Sequence, residues 1–333
     1  SVFAGAGLLI GCSDDVAATP AGAGGGGAGG GGAGGAGGME PELCPDLTEG
    51  GELVGELAFD EDVNVPFGQK LNQGWDARLY LDLSTLREDG LVVANEDFYI
   101  RTEYPDQLDP DAPWQIAVDG LAAPTTLTLD DLLPLVQPMG AYVLECSGNS
   151  DGGAFGLMSA AEWSGVPIED VLALIEVDAG ATRLLVGGFD GHSVPSNGGH
   201  STPGAEWIFT LDELVEAGAF LATEMNGVAL PPDHGAPVRL YVPNWYGCCC
   251  IKWVDHLQLV DDTAPATSQM MEFASRTHQN GTPTLAADYL PATLDQAAMP
   301  VRVEKWVLDG QVVYRVVGIL WGGYEVSEKL LIS

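Results

Sequence analysis

Positive charge is what this sequence lacks. Its 333 residues carry 12 Lys and Arg against 48 Asp and Glu, a formal charge of −36. A field of that sign repels phosphate backbones and acidic lipid headgroups, which argues against nucleic acid as a partner. It also makes each cation informative, because an anion bound here must be held by a few local positive groups against the field of the whole chain. Long apolar runs are missing too: Phe3 to Ile10 is too short to span a bilayer. Cysteine is scarce, at six residues. No Cys-x-x-Cys-His occurs, so covalent c-type haem is excluded and any haem-bearing partner has to be a separate protein. The cluster Asp60, Asp62 and Asn64 has Val65 and Leu71 where an EF-hand needs glycine and glutamate, and reads as a solvated acidic loop.

What is present begins at the N-terminus. The short apolar run closes in Leu9-Ile10-Gly11-Cys12, the pattern of a bacterial lipobox, and Gly and Ala then dominate from Ala21 to Gly38 as a flexible tether. The expectation is an exported, lipid-anchored periplasmic protein in an oxidising compartment. A chance apolar run before a linker is the alternative. No basic segment precedes Phe3, and Val326 to Ser333 ends without a turn or polar tail, so the sequence is expected to be a piece of a longer one at both ends.

Along the chain, strands outnumber helices. Ala77 to Leu83 alternates like a strand, Phe98 to Thr102 is a short one, and Trp114, Ile116 and Val118 alternate before Asp119-Gly120. Thr128 and Asp131 form a capping-box pattern for a short helix that Pro134 would cut. Pro167 opens a helix with Ile168, Val171, Leu172 and Ile175 on one face, and Thr210 with Glu213 caps another that stops at Gly218. Val238 to Val242 and Val254 to Val260 read as strands. From Val301 the pattern is all β around Asp309-Gly310, a strong hairpin signal. His192 and His200 sit in a Gly/Ser/Pro-rich stretch and read as exposed loop histidines.

The chemistry centres on Tyr142-Val143-Leu144-Glu145-Cys146-Ser147-Gly148-Asn149. A strand-like run carries Cys146 to its end and breaks into a turn, which places the thiol at the mouth of a sheet, and thiolate is a soft ligand suited to a metal centre. Taken alone, an inert buried cysteine is the commoner reading. The cations are the second lead. Arg101 ends a strand, Arg239 lies in His234-Gly235-Ala236-Pro237-Val238-Arg239, and Lys252 precedes Trp253. Arg beside His in a Pro-containing turn suits phosphate or another oxyanion; surface ion pairing is the alternative for each.

Several of these stretches in one order resemble the sulfite oxidase family of molybdenum enzymes, over about Phe98 to Val260. They are Phe98-Tyr99-Ile100-Arg101, Leu144 to Asn149, Glu162-Trp163-Ser164-Gly165-Val166-Pro167, Glu224-Met225-Asn226-Gly227, His234 to Arg239, and Lys252-Trp253. The resemblance implies an α+β fold: a mixed molybdopterin domain at 39–262, after a signal remnant and Gly-rich linker at 1–38, then an incomplete immunoglobulin-like β-sandwich dimerisation domain at 263–333. It implies Cys146 as the metal ligand and Arg101 facing the metal to hold an oxyanion. His234, Arg239 and Lys252 would lie along the pterin and its phosphate, with Asp190 near a pterin contact. The implied reaction is oxygen-atom transfer on sulfite or a related sulfur compound, with electrons leaving to a separate cytochrome c, in a homodimer. A periplasmic sulfoxide reductase and a non-catalytic binding module of the same fold are the rival expectations.

Two departures bear on the substrate. Relatives carry an arginine soon after the cysteine turn, where this chain has Ser150-Asp151-Gly152. The active-site tyrosine expected before Asn-Gly is also missing; Trp207 stands nearest, with Tyr104 or Tyr246 as substitutes. The stretch Glu145 to Ser150 with Gly156-Leu157-Met158-Ser159 resembles more closely the branch that oxidises bound sulfane sulfur. The Cys248-Cys249-Cys250 run is expected to lie on a strand and to give one disulfide with Cys44, rather than a second metal site.

Overall fold

The structure is a computed structural model and describes residues 6–13, 49–58, 66–87, 90–106, 108–109, 112–149, 155–192 and 205–323. The Gly-rich tether, Cys44, the acidic loop at 60–64, Ser150-Asp151-Gly152, His200, the side chain of His192 and the tail from residue 324 lie outside the described residues.

Strands dominate because the sequence alternates. In Gln115–Gly120 the alternate residues Ile116 and Val118 are buried, and Ile116 pairs with Leu127 across an antiparallel neighbour. That strand belongs to a five-stranded sheet in the spatial order Glu206–Thr210, Arg183–Gly188, Val254–Val260, Gln115–Gly120, Thr125–Thr128. All neighbours are antiparallel except Val254–Val260 with Gln115–Gly120. A second five-stranded sheet runs Gln137–Glu145, Met158–Pro167, Phe220–Met225, Val228–Ala229, and Arg239–Tyr241 also pairs with Phe220–Met225. Both belong to a compact unit built mainly from residues 62–298.

The helices are short and start where their caps predict. The Thr128–Asp131 box opens Leu129–Leu132, and Pro134 falls in the 3-10 turn that follows. Ile168–Ala173 buries Ile168 and Val171. Thr210 accepts from the Glu213 amide to open Leu211–Glu216, and Gly218 ends that helix at φ +66°.

Two expectations need correction. Only Arg78–Leu79 of the run Ala77 to Leu83 is a strand, paired with Ile100–Arg101. The Asp82 carboxylate accepts from the Ser84 amide at 2.9 Å, which turns the chain into the 3-10 segment Leu83–Thr85. Cys248 and Cys249 lie on a buried 3-10 turn, Gly247–Cys249, rather than on a strand, and their sulfurs stand 3.7 Å apart. Among the described residues Cys248, Cys249 and Cys250 are free and buried, the Cys250 thiol donating to the Val242 carbonyl; the expected disulfide partner Cys44 lies outside the described residues.

The chain divides into two compact units. Residues 263–298 belong to the larger unit, and the second unit joins residues 8–61 to 299–319. The reason is local packing: the Thr267 hydroxyl donates to the Glu206 carbonyl, and Thr267 caps the Ser268–Glu272 helix, which buries Met270. The second unit holds most of a four-stranded sheet in the order Ala6–Ser13, Gln311–Trp321, Ala297–Leu308, Glu52–Ala58, whose ends at Ala6-Gly7, Ala297-Ala298 and Leu320-Trp321 belong to the larger unit. Its hairpin turns at Asp309-Gly310 with φ +49° and +79°, the left-handed pair a two-residue turn requires.

Candidate active site

The six residues singled out from the sequence, Arg101, Cys146, Asp190, His234, Arg239 and Lys252, line one cavity of about 390 Å3 in the larger unit. That volume suits a cofactor or small ligand. Arg78 lines it as well, so four of the chain's twelve cations meet here.

Cys146 follows the last residue of Gln137–Glu145, and its loop is tied down from three sides. Asn149 accepts from the Gly156 and Leu157 amides at 3.0 and 3.1 Å and donates to the buried Glu145 carboxylate at 3.1 Å. Trp321 donates to the other Glu145 oxygen at 2.7 Å, and Arg276 donates to the Ser147 carbonyl at 2.9 Å. The motif Glu145 to Asn149 therefore builds a rigid mount for one sulfur. Burial pushes the Cys146 thiol pKa up, while the Gly148 N–H (3.4 Å from Sγ), Arg101 and Arg78 pull it down. A bound cation would complete that shift to thiolate.

Arg101 ends the Ile100–Arg101 strand, and its backbone is held by Lys252. The ammonium of Lys252 donates to the carbonyls of Arg101 (3.2 Å), Thr102 (2.6 Å) and Asp233 (2.9 Å), which engages all three of its donors. This explains how Thr102 persists at φ +78°, a costly angle for a β-branched residue. Lys252 thus offers the cavity charge more than hydrogen bonds. Burial lowers its pKa, as does Arg239, while Asp190 and Asp233 oppose; burial raises Asp190, which Lys252 opposes. Gly188 brings these elements together, since a Cβ there would stand 2.2 Å from the Lys252 carbonyl.

His234 and Arg239 are buried and braced by the backbone. Arg239 donates to the carbonyls of His234 and Cys250, both at 3.0 Å, with its guanidinium 5.5 Å from the Trp163 ring centre. The His234 Nε2 lies 3.0 Å from the Asn95 carbonyl, which can only accept, so Nε2 carries the proton and Nδ1 is the acceptor. The Asn226-Gly227 turn, at φ +52° and +74°, sets this contact: Asn226 Nδ2 donates to Asn95 Oδ1 at 2.7 Å and to the Val93 carbonyl at 2.8 Å.

Burial moves His234 from its usual 6.5 to about 4, with Lys252 and Arg239 adding to the drop. Between those values the unfolded chain takes up a proton that the folded protein refuses, so stability is complete above pH 6.5 and falls as pH drops through the window. The full separation is worth about 3 kcal/mol. The melting temperature should therefore fall less between pH 7 and pH 4.5 in His234→Gln than in wild type. Parallel curves would assign the acid loss to other groups.

Sequence reasoning missed several cavity residues. Neither Tyr104 nor Tyr246 nor Trp207 lines the cavity; Tyr80 and Tyr99 do. Trp207 is instead a core residue of Glu206–Thr210. Arg276, which holds the Ser147 carbonyl from outside the lining, was findable from the scarcity of cations alone. Gln269, Glu272 and Phe273 complete one wall, which the expected cut after 262 would have removed.

The donor set fits a molybdopterin. One thiol faces a cavity lined by cations, suited to a soft metal and an anionic phosphate. Ser147 Oγ and Arg239 Nε are buried on its lining with no hydrogen-bond partner among the described residues, as expected of groups that a polar ligand satisfies.

The family model of the oxidoreductase molybdopterin binding domain matches residues 101–268. The chain belongs to this family. As a molybdopterin-binding oxidoreductase chain of the sulfite oxidase group, it is 28% identical over 262 residues to the mitochondrial sulfite oxidase of Homo sapiens, covering 72% of this chain and 46% of that one. It is 30% identical over 196 residues to the NADPH nitrate reductase of Aspergillus niger, covering 54% and 22%. The chain thus spans less than half the length of these relatives. The crystal structure of a sulfane dehydrogenase from Paracoccus pantotrophus shares its fold at a TM-score of 0.53 and 18% identity, covering 84% of this chain and 83% of that one.

Proposed function

We propose that this chain is the cofactor-bearing part of an oxidoreductase that transfers an oxygen atom to sulfite or a related small sulfur compound and passes the electrons singly to a separate cytochrome c. One observation carries the reading: a single cavity joins the Cys146 thiol to four of twelve cations in a chain of charge −36. The molybdenum cofactor, when bound, supplies the two-electron redox chemistry, while the protein supplies position and electrostatics. Cys146 would hold the metal as thiolate, on a loop fixed by Asn149 and Arg276. Arg101 would hold the substrate oxyanion, its backbone fixed by Lys252. Arg239 and the acceptor Nδ1 of His234 would take the pterin, with Asp190 beside them and the charge of Lys252 favouring its phosphate.

Export, lipid attachment at Cys12 and homodimerisation belong to the same reading and rest on the Leu9 to Cys12 pattern and the family resemblance. Among the described residues, no helix is long and apolar enough to cross a membrane.

The deciding experiment is the molybdenum and pterin content of protein purified from a host that makes the cofactor, followed by sulfite-dependent reduction of cytochrome c. Stoichiometric molybdenum with sulfite turnover is the expected result. Molybdenum with reduction of sulfoxide or nitrate, but no sulfite oxidation, would reverse the direction of turnover. Protein without molybdenum would overturn the enzyme reading in favour of a binding module.

A further inference from the structure

The run Cys248-Cys249-Cys250 takes no part in the oxidoreductase reading above, and the fold gives its members different surroundings. Cys250 is engaged by backbone. Its sulfur accepts from the Val242 amide at 3.4 Å, its thiol donates to the Val242 carbonyl at 3.8 Å, and its own carbonyl accepts from Arg239 at 3.0 Å. The other two form a pair. Adjacent side chains on a strand point to opposite faces, but the 3-10 turn Gly247–Cys249 brings the Cys248 and Cys249 sulfurs to 3.7 Å. Among the described residues, each of these sulfurs has the other as its one hydrogen-bond partner.

The two thiols differ in access. Cys248 lines the cavity, whereas Cys249 is fully buried and is not among the lining residues. Burial raises the Cys249 pKa well above its usual value, and the bond to Cys248 raises it further, so Cys249 keeps its hydrogen and donates it to the Cys248 sulfur. An accessible thiol with a second thiol at its side is the arrangement in which a first oxidation is resolved as a disulfide. The backbone ties the pair to a wall of the cavity. Gln269 Nε2 donates to the Cys248 carbonyl, and Gln269 lines the cavity with Glu272 and Phe273. A disulfide, with its sulfurs roughly 2.05 Å apart, would close a small ring through the peptide between Cys248 and Cys249. The Cys248 carbonyl belongs to that peptide, so ring closure turns it and the Gln269 bond is lost.

We propose that Cys248 and Cys249 are a peroxide-reactive dithiol, whose disulfide releases Gln269 and loosens that wall of the cavity. The Cys248 thiolate attacks one oxygen of hydrogen peroxide; the O–O bond breaks, a Cys248 sulfenic acid forms and hydroxide leaves. The Cys249 sulfur then attacks the Cys248 sulfur. The S–S bond forms as the S–O bond breaks, and the Cys249 proton leaves with the hydroxyl as water. The proton that Cys248 gave up neutralises the hydroxide. Two thiols thus lose two electrons, and the peroxide that takes them ends as two waters. A small thiol reverses the step by exchange. The proposal uses this chain's own sulfurs and stands whether or not the oxidoreductase reading does.

The test treats the purified chain with hydrogen peroxide, maps every cysteine by mass spectrometry and measures hydrogen exchange at 268–273 on the same samples. Wild type should lose two hydrogens and carry a bond between Cys248 and Cys249, and dithiothreitol should restore both thiols. Exchange at 268–273 should quicken about fivefold in the oxidised protein, as expected for one lost hydrogen bond. Cys249→Ala should instead carry a sulfinic Cys248 that dithiothreitol does not reverse, because nothing resolves the sulfenic acid. Cys248→Ala should leave Cys249 unoxidised, and Cys250→Ala should pair like wild type. Wild type in which Cys248 and Cys249 remain thiols, or pair with any other cysteine, would overturn the dithiol. A Cys248–Cys249 disulfide with unchanged exchange at 268–273 would overturn the release of Gln269. Wild type alone decides both points, so a variant that fails to fold does not spare the proposal.

Discussion

Cys146→Ser is expected to lose at least about 100-fold in turnover and most of its bound molybdenum, because changing the groups behind a metal ligand already costs 10–100-fold. The same variant should melt within roughly 2 °C of wild type. Cys146 is half-buried as a residue, and its sulfur takes a hydrogen bond from the Gly148 amide at 3.4 Å that serine can also accept. The loop is held by its neighbours: Asn149 by Gly156 and Leu157, Ser147 by Arg276, Glu145 by Trp321. Substitutions that leave such anchors intact stay within about 0.5 kcal/mol. Metal analysis, steady-state turnover and a melting curve on one preparation separate the two effects. A serine variant that kept its molybdenum would move the metal ligand elsewhere, and Cys248 and Cys250, on the same cavity, would be the next candidates.

The residues facing the cavity were legible because their chemistry is rare in this chain. One cysteine at the end of a strand and a few cations in a strongly acidic sequence stand out without any fold in hand. The Asn226-Gly227 turn was visible too, although its purpose, fixing the Asn95 carbonyl that orients His234, exists only in three dimensions. Arg78 was hidden because Ala77 to Leu83 alternates like an ordinary strand; Asp82 and Ser84 end that strand through side-chain bonds that periodicity does not register. The family resemblance places Lys252 along the pterin and its phosphate; that its three donors also hold backbone carbonyls is visible only in the fold. The packing of the stretch after 262 was hidden for a related reason. Residues 263–298 carry few regular elements, but Thr267, Met270 and Arg276 anchor them to the cofactor-domain unit through contacts distant in sequence.

Trp163→Ala should be the most damaging single change away from Cys146. The ring is 2% exposed, lies 4.7 Å from the Tyr241 ring and 6.0 Å from Phe98, and has the Arg239 guanidinium 5.5 Å from its centre. Removing a buried tryptophan costs about 3–5 kcal/mol, through lost burial and the cavity left behind. For a unit of this size that lowers the melting temperature by roughly 10 °C. The loss should reach the site, because Arg239 holds the His234 and Cys250 carbonyls and the Phe98 ring packs edge-on against His234. Cofactor retention should therefore fall together with stability, although Trp163 itself is not among the cavity-lining residues. Trp163→Phe distinguishes packing from hydrogen bonding. The indole N–H is buried with no partner among the described residues, so phenylalanine forfeits volume alone and should recover most of the stability and the cofactor. Melting curves and molybdenum content of both variants check this. An alanine variant that melts like wild type would remove Trp163 from the support of the pocket, and a phenylalanine variant as damaged as alanine would mean that the indole N–H has a partner in solution.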